Sequence, residues 1–344
     1  MIKLYTCQEL LIPENRKQVH PLLFDLHYYE NAHQSVHNHY QLVDQTELAD
    51  AFIFPVNYYT IPQKGYLSQF NELYELAKAQ NKKLLVYTGG DYGTTFNDEA
   101  IITWRNAGFK SANNSQTMVI PAFMNDPLER NDLTLNIHDY KDQPQISFTG
   151  FANSSILESL RVLLSTIKGN FKRLLNKDKS DAQSIYNAAG KRYSYLKQLE
   201  LDSVIQTDFI YRDKYRARAV NDQQREQTTT EFFQNLNNSP YTFCLRGAGN
   251  FSVRFYEALA LGKIPVLVDT DVQLPLEKVI DWDLHICRVQ VDQDISKALL
   301  EFHQAHHSDS FIDLQKSNRL LYENYLVRHA YFCHLHDPLK TLLT

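Results

Sequence analysis

Apolar runs of four to six residues alternate with longer amphipathic stretches along most of the chain, the pattern of strands followed by helices. Ile2 to Thr6 opens as a short strand, and ELADAFIFPVNYY carries a buried strand that ends at Pro55. Leu67, Phe70, Leu73, Tyr74 and Ala77 then recur at helical spacing, which predicts a core-facing helix over Tyr66 to Gln80. KKLLVYT follows as a strand and runs straight into the loop GGDYG; a further strand is expected at Thr117 to Pro121. Strand, helix, strand with a glycine loop at the carboxyl end of the last strand is half of a doubly wound sheet, and ligands bind at that end.

The stretch from Asp126 to Gln145 is polar and turn-rich, and reads as an interdomain linker. Beyond it the pattern restarts. ISFTGFANSS followed by ILESLRVLLSTI repeats strand, small-residue loop and helix, with Leu157, Leu160, Leu164 and Ile167 on one helical face. A basic, irregular run from Lys168 to Lys197, echoed around Arg212 to Arg218, reads mainly as solvated surface, with the option of a cation for an acidic group or lipid phosphate. A helix over Asp222 to Asn237 precedes Tyr241, Phe243 and Leu245, which alternate as a strand. RGAGN makes a tight loop, Phe251 to Leu261 a helix, and KIPVLV a second strand. HICRVQV, Ile295 to His306 and Phe311 to Leu335 complete the chain as a strand and two or three helices. The division is residues 1–140, 141–320 and a closing segment 321–344. A chain of 344 residues, 43% of them hydrophobic, has the length and apolar content for two cores.

Chemistry concentrates in the helix after RGAGN. It is apolar on most sides, and Arg254 and Glu257 are its only charged residues, at i and i+3 in its first two turns. The free N–H groups and dipole at that end favour an anion, to which Arg254 adds a planar fork suited to phosphate. Glu257, one turn deeper, suits sugar hydroxyls. Together with Gly247, Gly249, Asn250 and Ser252 in the loop, they outline a seat for a nucleotide diphosphate. Thr149 and Gly150, at the carboxyl end of the preceding strand, face the same cleft. The bland alternative is an Arg254–Glu257 pair on a solvent face.

The FCL opening, the glycine loop, the S-x-R-x-x-E-A spacing, the G-x-I-P-V strand and the D-x-x-L-P-L...DW tail resemble the donor-binding segment of the exostosin glycosyltransferases over about forty residues. The ADAFIFP strand is similar to one in that family's first half. The resemblance implies the GT-B fold: two Rossmann-like α/β domains facing across a cleft, with a C-terminal helix crossing back to the first. It also implies that Arg254 and Glu257 hold the diphosphate and ribose of a UDP-sugar. The chain has Arg246 and Ala248 where a proline often stands, and Gly90 in place of the histidine of an H-D-x-G-like motif. Asp91 in that loop is either a turn residue or the catalytic base.

Composition trims the alternatives. A net charge of -5 offers no field for nucleic acid. No run approaches the eighteen apolar residues of a membrane span, and no basic n-region leads into an apolar segment after Met1. Cys7, Cys244, Cys287 and Cys333 are scattered, as reduced thiols are, and glycosylation of the sequon at Asn250 would block the proposed phosphate loop. A cytoplasmic protein is expected, at most peripheral to the inner membrane face. His33 and His37, and the later His329, Cys333, His334 and His336, have loosely metal-like spacing with no complete ligand set. Asp269-Thr270-Asp271 has the D-x-D form but lies late in the chain, and reads as a turn with Asp271 lining the cleft. The expectation is an inverting, metal-independent hexosyl- or glycuronosyltransferase with no cofactor, acting on a nucleotide-sugar donor and a glycan acceptor, free or lipid-linked, in polysaccharide biosynthesis. A GDP-fucose enzyme and a silent sugar-binding subunit are the alternatives.

Overall fold

A computed structural model describes residues 1–29, 33–212 and 221–344. The first sheet contains β1 (Ile2–Tyr5), β2 (Tyr40–Leu42), β3 (Ala51–Ile53), β4 (Leu84–Tyr87), β5 (Ile101–Arg105) and β6 (Thr117–Val119), ordered β2-β1-β3-β4-β5-β6 and parallel throughout. β3, β5 and β6 are buried end to end and β4 up to its last residue, as strands covered on both faces must be. Of the helices α1 (Pro21–Leu23), α2 (Gln34–His39), α3 (Ile61–Lys64) and α4 (Leu67–Ala79), α4 buries Phe70, Leu73 and Ala77 against one face.

The second sheet contains β7 (Gln145–Phe151), β8 (Gln206–Arg212), β9 (Tyr241–Cys244), β10 (Ile264–Asp269) and β11 (Cys287–Gln290), ordered β11-β10-β9-β7-β8, again all parallel. Its helices are α5 (Ile156–Leu174), α6 (Ala188–Leu201), α7 (Asp222–Asn237), α8 (Val253–Ala260), α9 (Ile295–Ala305) and α10 (Ser308–Leu321). The strand order reverses between β7 and β9, so a crevice opens at their carboxyl ends. The run from Lys168 to Lys197, expected to be irregular, is largely helical, in α5 and α6.

The segment between the sheets is bound along the second domain. Asp126 pairs with Arg319 (2.9 Å to Nη1), and Gln315 exchanges hydrogen bonds with both the N–H and the carbonyl of His138. After α10 a π-helical turn (Tyr322–Leu326) leads into α11 (Arg328–Leu343), which returns to the first domain. There Tyr331, Phe332, Leu335 and Leu339 join the core of the first sheet, Tyr331 Oη donates to the Val119 carbonyl, and Arg328 pairs with the buried Asp25 (2.6 Å). Two doubly wound α/β domains closed by a returning C-terminal helix constitute the GT-B architecture.

The domains also touch directly. Phe109 and Val272 form an isolated antiparallel bridge, Lys110 N–H donates to the Asp271 carbonyl, and Asn113 donates to Gln273 (2.7 Å).

Candidate nucleotide-sugar site

The crevice between β7 and β9 is lined with arginines. Arg254 leaves the first turn of α8, and its guanidinium lies 4.4 Å over the Phe148 ring while Nη2 donates to the Thr149 carbonyl at 2.6 Å. A Cβ on Gly150 would stand 3.0 Å from that Nη2, so the small residue at the end of β7 makes room for the stacked guanidinium. The Thr149 hydroxyl points away from the crevice, to Asn235 (2.7 Å). Thr149 and Gly150 thus shape the site through Arg254.

Arg192 of α6 bonds the carbonyls of Phe151 and Arg246, linking the ends of β7 and β9. Burial, and secondarily the Arg254 charge, hold it down at about 10. Arg246 packs between Phe109 and Tyr186, and Arg212 ends β8 close enough that its charge is felt at Arg254. The Nε atoms of Arg212, Arg246 and Arg254 are all buried without a hydrogen-bond partner. Each orphaned donor costs about 1–3 kcal/mol, so three in one crevice call for an acceptor. Among the described residues Arg192, Arg246 and Arg254 make no ion pair, and Arg212 pairs with Glu231 (2.8 Å). The sequence did not single out Arg192. It lies in a basic run, and its role rests on carbonyls 41 and 54 positions away. Lys214, Arg216 and Arg218 lie outside the described residues.

Glu257 and Arg254 share a helix face without forming an ion pair, which removes the solvent-pair alternative. Burial pushes the Glu257 carboxyl up to about 7, opposed by the Arg254 charge. Its side chain has no hydrogen-bond partner among the described residues, leaving a carboxylate one turn inside the arginine cluster.

The glycine loop departs from the expected phosphate cradle. A Cβ on Gly249 would meet the Asp91 backbone, 2.8 Å from its Cα, so this residue is a seat for the first domain's loop. Asn250 is buried, and its amide donates to the carbonyls of Gly108, Thr270 and Asp271 while accepting from the Thr270 hydroxyl (2.6 Å). With its amide hydrogens spent on backbone carbonyls, Asn250 ties the glycine loop to both domains, and its side-chain oxygen keeps one acceptor position. Asp271 adopts a left-handed φ of 63°, and its carboxylate accepts from the Ser111 backbone N at 3.2 Å, so it joins the turn to the first domain. Asp269, its partner in the D-x-D, accepts from Val272 N and pairs with Arg288 (3.0 Å). Gly247 faces open space, and Ser252 takes the N-cap position of α8 without using its side chain there, so its hydroxyl is unspent.

Across the crevice, Asp91 stands exposed in the loop after β4, with no side-chain hydrogen bond among the described residues. Partial desolvation raises its pKa, and Arg246 lowers it. It borders a cavity of about 310 Å³ lined from both domains by Tyr92, Asn97, Phe109 and Gln183 among others. The histidines form no ligand cluster: His33 stacks on His329 (4.3 Å) and His39 meets His336 edge-on (5.0 Å), joining α2 to α11. No group of three or more metal-ligating side chains occurs among the described residues.

This fold, with an arginine-lined crevice at its second switch point, defines the class: the chain has the GT-B architecture. Residues 133–298, the part that carries the crevice, match the Exostosin GT47 domain. Comparison with curated protein sequences finds no match. Among solved structures the chain is similar to an alpha1,3-fucosyltransferase (13% identity, 99% of this chain and 90% of that one, TM-score 0.37). It is similar also to an alpha-glucosyltransferase in complex with UDP-glucose and DNA (10%, 91% and 86%, TM-score 0.37) and to sucrose-phosphate synthase from Thermosynechococcus elongatus (12%, 85% and 67%, TM-score 0.34). Likeness at this level carries nothing about donor or acceptor. No helix among the described residues is long and apolar enough to cross a membrane.

Proposed function

We propose that the protein transfers a sugar from a UDP-sugar to a hydroxyl of a glycan acceptor with inversion and without a metal. The carrying observation is the convergence of Arg192, Arg246 and Arg254, unpaired with any carboxylate and with two orphaned Nε donors among them, at the ends of β7 and β9. A diphosphate supplies the missing acceptors and the compensating charge. Glu257, one turn along α8, receives the ribose hydroxyls.

In the reaction the acceptor oxygen attacks the anomeric carbon as the bond from that carbon to the diphosphate oxygen breaks. Asp91 takes the acceptor proton, and the arginines hold the charge that develops on the leaving diphosphate. The cavity beside Asp91 is where the acceptor lies. Calorimetric titration with UDP, GDP and dTDP tests the reading. Tightest binding of UDP is expected; preference for GDP would turn the assignment to a fucosyltransferase-type donor, and binding of none would leave a silent subunit.

A further inference from the structure

Helix α5 is amphipathic in the reverse sense for a globular domain. Leu157, Leu160, Leu164, Ile167, Phe171 and Leu174 recur at spacings of three and four and fall on one face, and that face is exposed: Leu157 69%, Leu164 66%, Phe171 59%, Leu174 78%. None of its nineteen residues is buried. Its polar side is what holds it to the protein. Asn170 donates to the Gln183 carbonyl (2.7 Å), Arg173 bonds Ser180 (2.9 Å) and stacks over Tyr92 (4.8 Å), and Ser159 accepts from Asn187 (2.8 Å). An apolar stripe this long and turned outward is covered by something outside the described fold.

Charge decides between coverings. From Ser155 to Lys179 six basic residues accompany two acidic ones, in a chain whose net charge is -5. Lys168, Lys172, Lys177 and Lys179 have no ion-pair partner among the described residues, and by helical periodicity Arg161, Lys168 and Lys172 line one flank of the apolar stripe. Ile156 and Leu175 add apolar residues beside the two-position seam at either end of that stripe. A second copy laid along it would bring like charge against like charge. An anionic lipid surface accepts both halves of the pattern, the apolar face among the acyl chains and the lysines at the headgroups. We infer that α5 is a membrane-surface helix, lying in the interface of an anionic bilayer and holding the protein there with the crevice near the lipid, since only four residues separate the end of β7 from the start of α5.

The test is flotation of the full chain with phosphatidylcholine vesicles, with and without about one-third phosphatidylglycerol. Expected are binding to the anionic vesicles and at least roughly tenfold less to the neutral ones. Leu164→Asp with Phe171→Asp abolishes binding while melting temperature and UDP affinity stay at the parent values; Lys168→Glu with Lys172→Glu removes the preference for anionic lipid. Unchanged binding in the leucine–phenylalanine variant overturns the inference, as does failure of the parent chain to float with either vesicle. A parent dimer that the same variant dissociates, with no vesicle binding, assigns the face to a second copy instead.

Discussion

Arg254 and Glu257 stand one turn apart on α8 with no salt bridge between them, the guanidinium drawn instead over Phe148 and onto the Thr149 carbonyl. On the proposed reading, a half-buried cation with a buried, unbonded Nε, kept from its nearest carboxylate, meets the charge of a ligand instead. Arg254→Ala should weaken UDP binding by about 2–3 kcal/mol, roughly 30- to 150-fold, through loss of charge-assisted phosphate contacts. The melting temperature should hold or rise, because the substitution also removes an unsatisfied buried donor. Calorimetry with the purified variant reads both; full UDP affinity would dismiss this helix as the donor seat.

Glu257 gives the site a pH signature. Its folded pKa of about 7 lies above the ordinary carboxyl value, so the folded chain holds a proton that the unfolded chain has released. Stability from this group is therefore greatest below the unfolded pKa, falls as pH rises from there to about 7, and is flat above; the loss is on the order of 1–3 kcal/mol. On the proposed reading nucleotide binding runs the other way, since ribose hydroxyls would donate to the ionised carboxylate. Glu257→Gln should flatten the stability profile between pH 5 and 8 and weaken UDP at pH 8 more than at pH 6. An unchanged profile would mean that Glu257 is ionised in the folded protein.

The sequence was most readable where local patterning decides the structure. The strand at Tyr241, the loop and the helix carrying Arg254 were visible because glycine, apolar periodicity and a charged i,i+3 pair are local signals. The helix over Asp222 to Asn237 emerges with the same bounds. What stayed hidden depends on distant partners. Arg192 is one arginine in a basic helix until β7 and β9 are folded beside it, and Asn250 looks like a phosphate-loop residue until Gly108 of the other domain takes its amide. On α5 the shared face of Leu157, Leu160 and Leu164 was legible, but its exposure was not: periodicity defines a face and leaves open what the face meets.

Engagement of both D-x-D carboxylates bears on metal use. Asp269 is held by Arg288 and the Val272 N–H, and Asp271 by Ser111, so freeing them for a cation would dismantle the turn after β10. Turnover should be unchanged after exhaustive treatment with EDTA. Loss of activity on chelation with recovery on adding manganese would make these aspartates ligands and return the arginines to an auxiliary role.

The seat between Gly249 and Asp91 should be intolerant of volume. A methyl at Gly249 would fall against the Asp91 backbone, which cannot turn aside as a flexible side chain could. Gly249→Ala should therefore displace the Asp91 loop, at a cost of about 1–3 kcal/mol of stability and a fall in turnover larger than the change in UDP affinity. Denaturant titration alongside steady-state kinetics separates the two. Parent stability and turnover would show that the loops do not press on one another.

Asp91 itself provides the last test, because its environment leaves the side chain free to act as the base. The carboxylate is exposed, unbonded among the described residues, and poised at the mouth of the cavity, with Arg246 favouring its ionised form against partial desolvation. Asp91→Asn keeps the size and nearly the shape of the side chain but cannot take a proton from the acceptor hydroxyl. UDP affinity should stay within about twofold while kcat falls by roughly a hundred to ten thousand fold, the usual worth of a positioned base. In the parent enzyme kcat/KM should fall as Asp91 protonates at low pH, and this acidic limb should vanish in the variant. Near-parent turnover in Asp91→Asn would return the residue to a turn-forming role, and a product with retained anomeric configuration would rule out a single-displacement mechanism whatever residue serves as base.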